Sequence, residues 1–258
     1  MLRAAGRSEE TIRLRRYHLG RLAAAMRPRG PWAVRSEHLT AWLGGHGWSR
    51  ETLRSYRATV RSFYRWAHGA GYVPADPAAG LLPVKPAQPM PKPTDAEALR
   101  DALVRVSDER VHLALLLGSR LGLRRGEMVR VHERDLVDDL VGWSLRVHGK
   151  GDKLRMVPVP DTLARQIRAA CRRGGGWAFP GRIEGHLSAA YLGKLVSREL
   201  PVGQSTHGLR HRFATDAHRV NRDLVTVQEL LGHASPETTR RYVAADLDEL
   251  RRTVLALA

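Results

Sequence analysis

Pro83-Val84-Lys85-Pro86-Ala87-Gln88-Pro89-Met90-Pro91-Lys92-Pro93 carries five of the chain's 14 prolines. Proline fixes φ, lacks an amide donor and disfavours helix in the residue before it. The run therefore reads as an extended linker over 84–93. It separates a first domain, 1–83, from a second, 94–258. Immediately after it, Thr94-Asp95-Ala96-Glu97 has the pattern of a capping box, with Thr94 at the N-cap and Glu97 at N3. A new helix, and with it a new domain, is expected to start there.

Upstream of the linker the chain reads as helical. Ser8 is expected to cap a helix to about Met26, Ser36 a shorter one through Leu43, and Ser49 a third ending near Gly69. In the third, Arg50, Arg54, Arg57, Arg61 and Arg65 recur at spacings of three and four and fall on one stripe. Leu53, Tyr56, Val60, Phe63 and Ala67 form a separate apolar stripe. One face packs while the next presents guanidiniums. A solvated charged face is the plainer alternative. Against it, Glu51 is the single acidic residue across 50–68, and self-repelling arginines without acidic partners destabilise a helix. The stripe is read as a contact to a phosphate backbone.

Composition agrees with that reading. The 258 residues hold 43 Lys+Arg against 26 Asp+Glu, a formal net charge of +17. Residues 1–92 carry +11 of it and residues 93–258 carry +6. Such an excess favours nucleic acid or anionic lipid as partner. No stretch approaches the roughly 20 apolar residues that span a bilayer, and the N-terminus lacks a signal peptide's apolar run, so a cytoplasmic protein is expected. A single cysteine, Cys171, excludes an intrachain disulfide and any multi-cysteine metal site. Arginine outnumbers lysine 38 to 5, as in chains encoded by GC-rich genomes.

Downstream, helices are expected near 95–106, 108–120, 125–133, 161–172, 188–199, 207–219, 223–231 and 236–245. Val141–His148 and Lys153–Val159 read as two strands joined by the turn Gly149-Lys150-Gly151-Asp152. The fold class is therefore mainly α, in two domains, with a small antiparallel sheet in the second.

Four short segments concentrate groups that bind or transform anions: Gly122-Leu123-Arg124-Arg125-Gly126-Glu127; the hairpin Gly149 to Arg155; Thr206-His207-Gly208-Leu209-Arg210-His211; and Leu230-Leu231-Gly232-His233 with Tyr242 nine residues beyond. Each alone is common in unrelated proteins. In this order they resemble the tyrosine recombinase (phage integrase) family, over nearly the whole chain. The resemblance implies a helical core-binding domain followed by a catalytic domain, arranged as a clamp around duplex DNA. It implies Tyr242 as nucleophile, with Arg124, Lys150, His207, Arg210 and His233 completing the site and Glu127 supporting it.

The chemistry of those residue types is consistent with phosphoryl transfer. Two guanidiniums can each offer a rigid pair of donors to phosphate oxygens, and preorganised donors aimed at developing charge are often the largest catalytic contribution. Tyrosine, with a pKa of about 10, is activated by nearby cations. The two histidines can exchange protons near neutrality. At the hairpin tip stands Lys150 in a chain with only five lysines. Lysine can release a proton where arginine cannot, which suits an acid for the departing 5′ oxygen; Lys153 is the alternative. A covalent link to tyrosine conserves the bond energy, so no nucleotide cofactor is expected. Gly149-Lys150-Gly151 lacks the upstream glycine spacing and following Ser/Thr of a P-loop. His207 and His211 are spaced for a metal, but in this context none is expected.

The resemblance further implies short core-type attachment sites in double-stranded DNA, since no room remains before residue 8 for an arm-binding domain. It implies a homotetramer on two duplexes, docked through the tail Val243–Ala258, and leaves room for an accessory directionality factor. A phage or mobile-element integrase is the leading reading. An Xer-like dimer resolvase, a non-cutting DNA-binding relative and a type IB topoisomerase are the alternatives.

Overall fold

The computed structural model of the chain describes residues 2–86, 92–140, 142–149 and 153–232. They belong to two compact units, Met1–Gln88 and Pro89–Ala258.

The first unit holds helices α1 (Glu9–Ala25), α2 (Ser36–Gly44) and α3 (Arg50–Gly69). Ser8 and Ser49 cap α1 and α3, their hydroxyls accepting from the Thr11 and Thr52 amides. At α2 the N-cap is Arg35 and Ser36 is the first helical residue. The Arg35 amide donates to His38 Nδ1, 3.0 Å away, so the histidine takes over the local capping expected of Ser36. The core joins Leu22, Leu39, Trp42, Val60, Tyr64 and Ala67. Tyr56 of α3 lies between two rings: His18 at 3.8 Å and Trp48 at 4.1 Å. Each fully buried large apolar side chain contributes about 2 kcal/mol, and stacked rings add to that.

The second unit is built around α5 (Glu109–Arg120), preceded by α4 (Ala96–Arg105). Val111, Leu113, Ala114, Leu115 and Leu117 are all buried, so α5 is apolar on most of its circumference and is covered on several sides. A short α6 (Arg125–Met128) leads to β1 (Leu136–Asp139), β2 (Gly142–His148) and β3 (Leu154–Val159). These form one antiparallel sheet in the order β1-β2-β3. Leu145 pairs with Val157 and Val147 with Arg155. Along the pleat Leu145, Val147, Val157 and Val159 point inward. Then come α7 (Asp161–Arg173), β4 (Pro180–Ile183), α8 (Ala189–Glu199), α9 (Thr206–Asn221) and α10 (Leu224–Leu231). Residues 189–199, 206–221 and 224–231 take serine or aspartate N-caps: Ser188, Ser205 and Asp223.

Three further local expectations change. At the start of α4 the cap is Asp95, whose carboxylate accepts from the Glu97 amide at 2.9 Å and the Ala98 amide at 3.1 Å. A charged acceptor is stronger than a hydroxyl. Thr94 instead lies fully buried against α9, its amide donating to Gly208 O at 3.0 Å. A helix over 125–133 is replaced by four helical residues and an extended stretch. There Ala178 N donates to Val131 O and Glu133 N to Gly176 O, and a helix cannot offer its backbone sideways in that way. Finally, the sheet has a third strand, β1, missed because Leu136-Val137-Asp138-Asp139 is short and half polar. The expected helix over 236–245 lies outside the described residues. Among the described residues no helix is long and apolar enough to cross a membrane.

Candidate active site

The first arginine segment works as a turn. Gly122 has φ +63, a left-handed conformation that favours glycine. The Leu123 amide then turns back to Leu117 O, 3.1 Å away. Arg124 follows as the N-cap of α6, and Glu127 falls one turn later beneath it.

The Glu127 carboxylate is 3% exposed and gathers the surrounding guanidiniums. Oε1 accepts from Arg124 Nη1 at 2.8 Å and from Arg155 Nη1 at 3.1 Å. Oε2 accepts from the Arg124 amide at 2.9 Å and from Arg155 Nη2 at 2.8 Å. Arg210 Nη1 stands 3.9 Å from Oε2. Burial by itself pushes this carboxyl up. The hydrogen bonds and charge of Arg155, then those from Arg124, overcome that and hold it at about 2.

Arg210, on α9, is 1% exposed. It donates to Gly122 O through Nη1 and to Leu231 O through Nη2, which fixes the plane of its guanidinium. Its Leu231 partner ends α10, so cations meet the negative end of that helix. Arg124 is the more open of the pair, its side chain 39% exposed. His207 sits in the first turn of α9, its amide on Ser205 Oγ. Burial lowers the ring's pKa, and the charges of Arg210 and Arg124 lower it further. Arg124, Arg125, Lys194, Ser205, His207 and Arg210 line one cleft of about 680 Å³. The cleft thus presents guanidiniums already held in place, beside an imidazole whose burial disfavours its charged form.

Of the residues expected from sequence, Arg124, Glu127, His207 and Arg210 come together. Lys150, His233 and Tyr242 lie outside the described residues. Their flanks are described: Gly149 N donates to Lys153 O at 2.8 Å, closing the hairpin before Lys150. Gly232, at φ +63, ends α10 before His233.

Two residues here were not read as site residues. Lys194 of α8 carried no signal beyond its charge. Arg155 did: it lies on the same face of β3 as the buried Val157 and Val159, and a charge on the inward face of a strand requires a partner.

In the first unit the arginine stripe divides. Arg57 donates to Leu81 O through Nε at 3.2 Å and Nη2 at 2.6 Å, and burial first, then Arg61, lower its pKa. Arg54 pairs with Glu51 at 3.2 Å. Arg61 and Arg65 line a shallow pocket with Arg7, Arg15, Ser62 and Trp66. Arg50 is exposed at the start of α3.

The helical fold with its small antiparallel sheet agrees with the comparisons to known proteins. Residues 92–249 match the model of the phage integrase family. The chain belongs to that family and is a tyrosine-type site-specific recombinase. It is 35% identical over 237 residues to tyrosine recombinase XerC of Azotobacter vinelandii, covering 84% of this chain and 77% of that one. It is 25% identical to the integrase of mycobacterium phage Brujita, with a TM-score of 0.52 over 97% of this chain and 86% of that one. A lambda integrase dimer bound to a core site shares the fold, with a TM-score of 0.76 at 17% identity over 93% of this chain and 90% of that one.

Proposed function

We propose that the protein cuts and rejoins double-stranded DNA through a covalent 3′-phosphotyrosine at Tyr242. The Tyr242 oxygen attacks phosphorus, the bond from phosphorus to the 5′ oxygen breaks, and a 5′-hydroxyl leaves. The reverse step on another strand completes the exchange, with no nucleotide or metal. Arg124 and Arg210 hold the non-bridging oxygens. His207, kept neutral, accepts the proton that leaves Tyr242, and Lys150 donates one to the 5′ oxygen. His233 adds a hydrogen bond to the phosphate. The observation that carries this reading is the buried Glu127 carboxylate beneath Arg124, Arg155 and Arg210. It fixes cations at an open cleft, the preorganisation that phosphoryl transfer requires.

The first unit is the proposed core-binding domain. Arg50, Arg54, Arg57, Arg61 and Arg65 lie on its α3, and Arg61 and Arg65 are the ones best placed for phosphates. Short core-type sites, a homotetramer docked through the C-terminal tail, an accessory directionality factor and a place on the host nucleoid in the cytoplasm complete the proposal. Integration of a phage or mobile element is one biological role. Resolution of chromosome dimers is the second, favoured by the match to XerC over 84% of this chain.

The test is incubation with nicked duplexes tiled across the DNA that flanks its own gene, read as an SDS-resistant, protease-sensitive adduct. Wild type is expected to form one and Tyr242→Phe to bind without forming it. An adduct in Tyr242→Phe rejects the nucleophile. An adduct at one flanking position favours the integrase role. Tight binding and cleavage only at a distant chromosomal site favours the resolvase.

A further inference from the structure

We infer that Arg155 is a positioning residue that ties the Gly149 end of the β2–β3 hairpin and the last turn of α10 to the Glu127 carboxylate that holds Arg124. The inference rests on the catalytic roles proposed above. Arg155 leaves β3 on its buried face, and its side chain is 11% exposed. Its guanidinium makes a two-pronged pair with Glu127, at 3.1 and 2.8 Å, and Glu127 in turn holds Arg124. Nε donates to Leu230 O, 2.9 Å away, in the last turn of α10. A Cβ built on Gly232 would lie 2.9 Å from Arg155 Cδ, and one built on Gly149 would lie 4.0 Å from Nη1. Gly149 precedes Lys150 and Gly232 precedes His233. One side chain thus lies beside the residue before each of two proposed catalytic groups and pairs with the carboxylate beneath a third.

The fork geometry is what makes arginine necessary. A single planar guanidinium can serve a carboxylate with two nitrogens and a carbonyl with the third. Lysine can supply the charge to Glu127 or the hydrogen bond to Leu230, but it cannot span both at fixed angles. Gly232, at φ +63, brings the backbone close to the Arg155 stem, and any larger residue would push the end of α10 away.

The test compares full-length wild type, Arg155→Lys and Arg155→Ala. The substrate is the nicked duplex, with either oxygen or sulfur bridging phosphorus to the 5′ carbon. A thiolate leaves without a proton, so the sulfur substrate does not need Lys150. Both variants are expected to bind the duplex within about twofold of wild type. Displacing a catalytic group by an ångström can slow a reaction about a hundredfold. A loss of about that size is expected on the oxygen substrate, and a clearly smaller one on sulfur. Hydrogen exchange is expected to rise at Leu154 and at Leu230–Gly232 but not in α5. Equal losses on the two substrates that track lost DNA binding would overturn the inference, as would unchanged rates. If wild type forms no adduct on any duplex, the catalytic reading fails. Exchange then decides Arg155 alone: faster exchange confined to both segments supports it, and uniform or absent change overturns it.

Discussion

Arg124 Nη1 and Glu127 Oε1 lie 2.8 Å apart, yet the arginine side chain is 39% exposed and the glutamate side chain 3%. The pair is an anchor below and a presented cation above. Arg155 completes the anchor from β3. The cluster is therefore a site of stored charge in which the carboxylate is the part that cannot be removed without consequence.

Glu127→Gln should destabilise the protein. Three guanidiniums would lose their shared counter-charge, and breaking a buried pair by removing one partner costs about 3–5 kcal/mol. The effect should depend on pH. The native carboxyl is held at about 2, below an ordinary value near 4.5. A lowered acid contributes stability above its unfolded pKa and loses it as pH falls through the folded one. The contribution, on the order of 3 kcal/mol, should be complete above pH 4.5 and fade toward pH 2. Denaturant midpoints of wild type and variant should converge over that window. A gap independent of pH would show that the charge of Glu127 is not what stabilises.

His207 should titrate below 6.5. Burial disfavours its charged form, and Arg210 and Arg124 add to that. Proton NMR of the ring Cε1–H, assigned by comparison with His207→Gln, gives the midpoint. A value at or above 6.5 would reject the lowered pKa, and one above 7 would leave the imidazole mostly charged at neutral pH and unable to accept the tyrosine proton. Because the unfolded ring takes up protons first, folding should also weaken as pH falls through 6.5.

The arginines of α3 should separate by function. Each phosphate contact contributes about 0.9 to the salt slope of duplex binding. Arg61→Ala with Arg65→Ala should therefore flatten that slope by about 2 while leaving the melting temperature near wild type. Arg57→Ala should act on folding, because it loses the charged hydrogen bonds to Leu81 O, worth about 1.5–3 kcal/mol. Thermal melts and salt titrations of both variants check this. An unchanged slope in the double variant would return that face to a solvated role.

Gly122→Ala should destabilise by about 2–4 kcal/mol, from left-handed backbone and from overpacking. The added Cβ would come 2.4 Å from Phe213 Cδ1 and 2.9 Å from Leu231 Cδ2. Gly126→Ala, four residues on, meets nothing within 4 Å and should be neutral or slightly stabilising. Chemical denaturation of the two variants provides the contrast.

The amino-acid sequence by itself determined the helix starts at Ser8 and Ser49 and the hairpin strands, and through its family resemblance it singled out Arg124, Glu127, His207 and Arg210, which the fold brings together. These are properties of spacing and of side-chain chemistry, legible wherever a local pattern has one reading. Only the tertiary structure decided which residue capped α4, because Thr94 was claimed by Gly208 of α9. It also decided where α6 stopped, because residues 131–133 pair with a segment some 45 positions away. It divided the arginine stripe, giving Arg57 to a carbonyl that follows α3 by a dozen residues. And it gave Arg155 its partners, Glu127 and Leu230, which lie 28 and 75 residues from it in the chain. Contacts of such separation leave no periodicity to read. They arise when packing brings a buried charge and its acceptors together, and burial then makes their pairing obligatory.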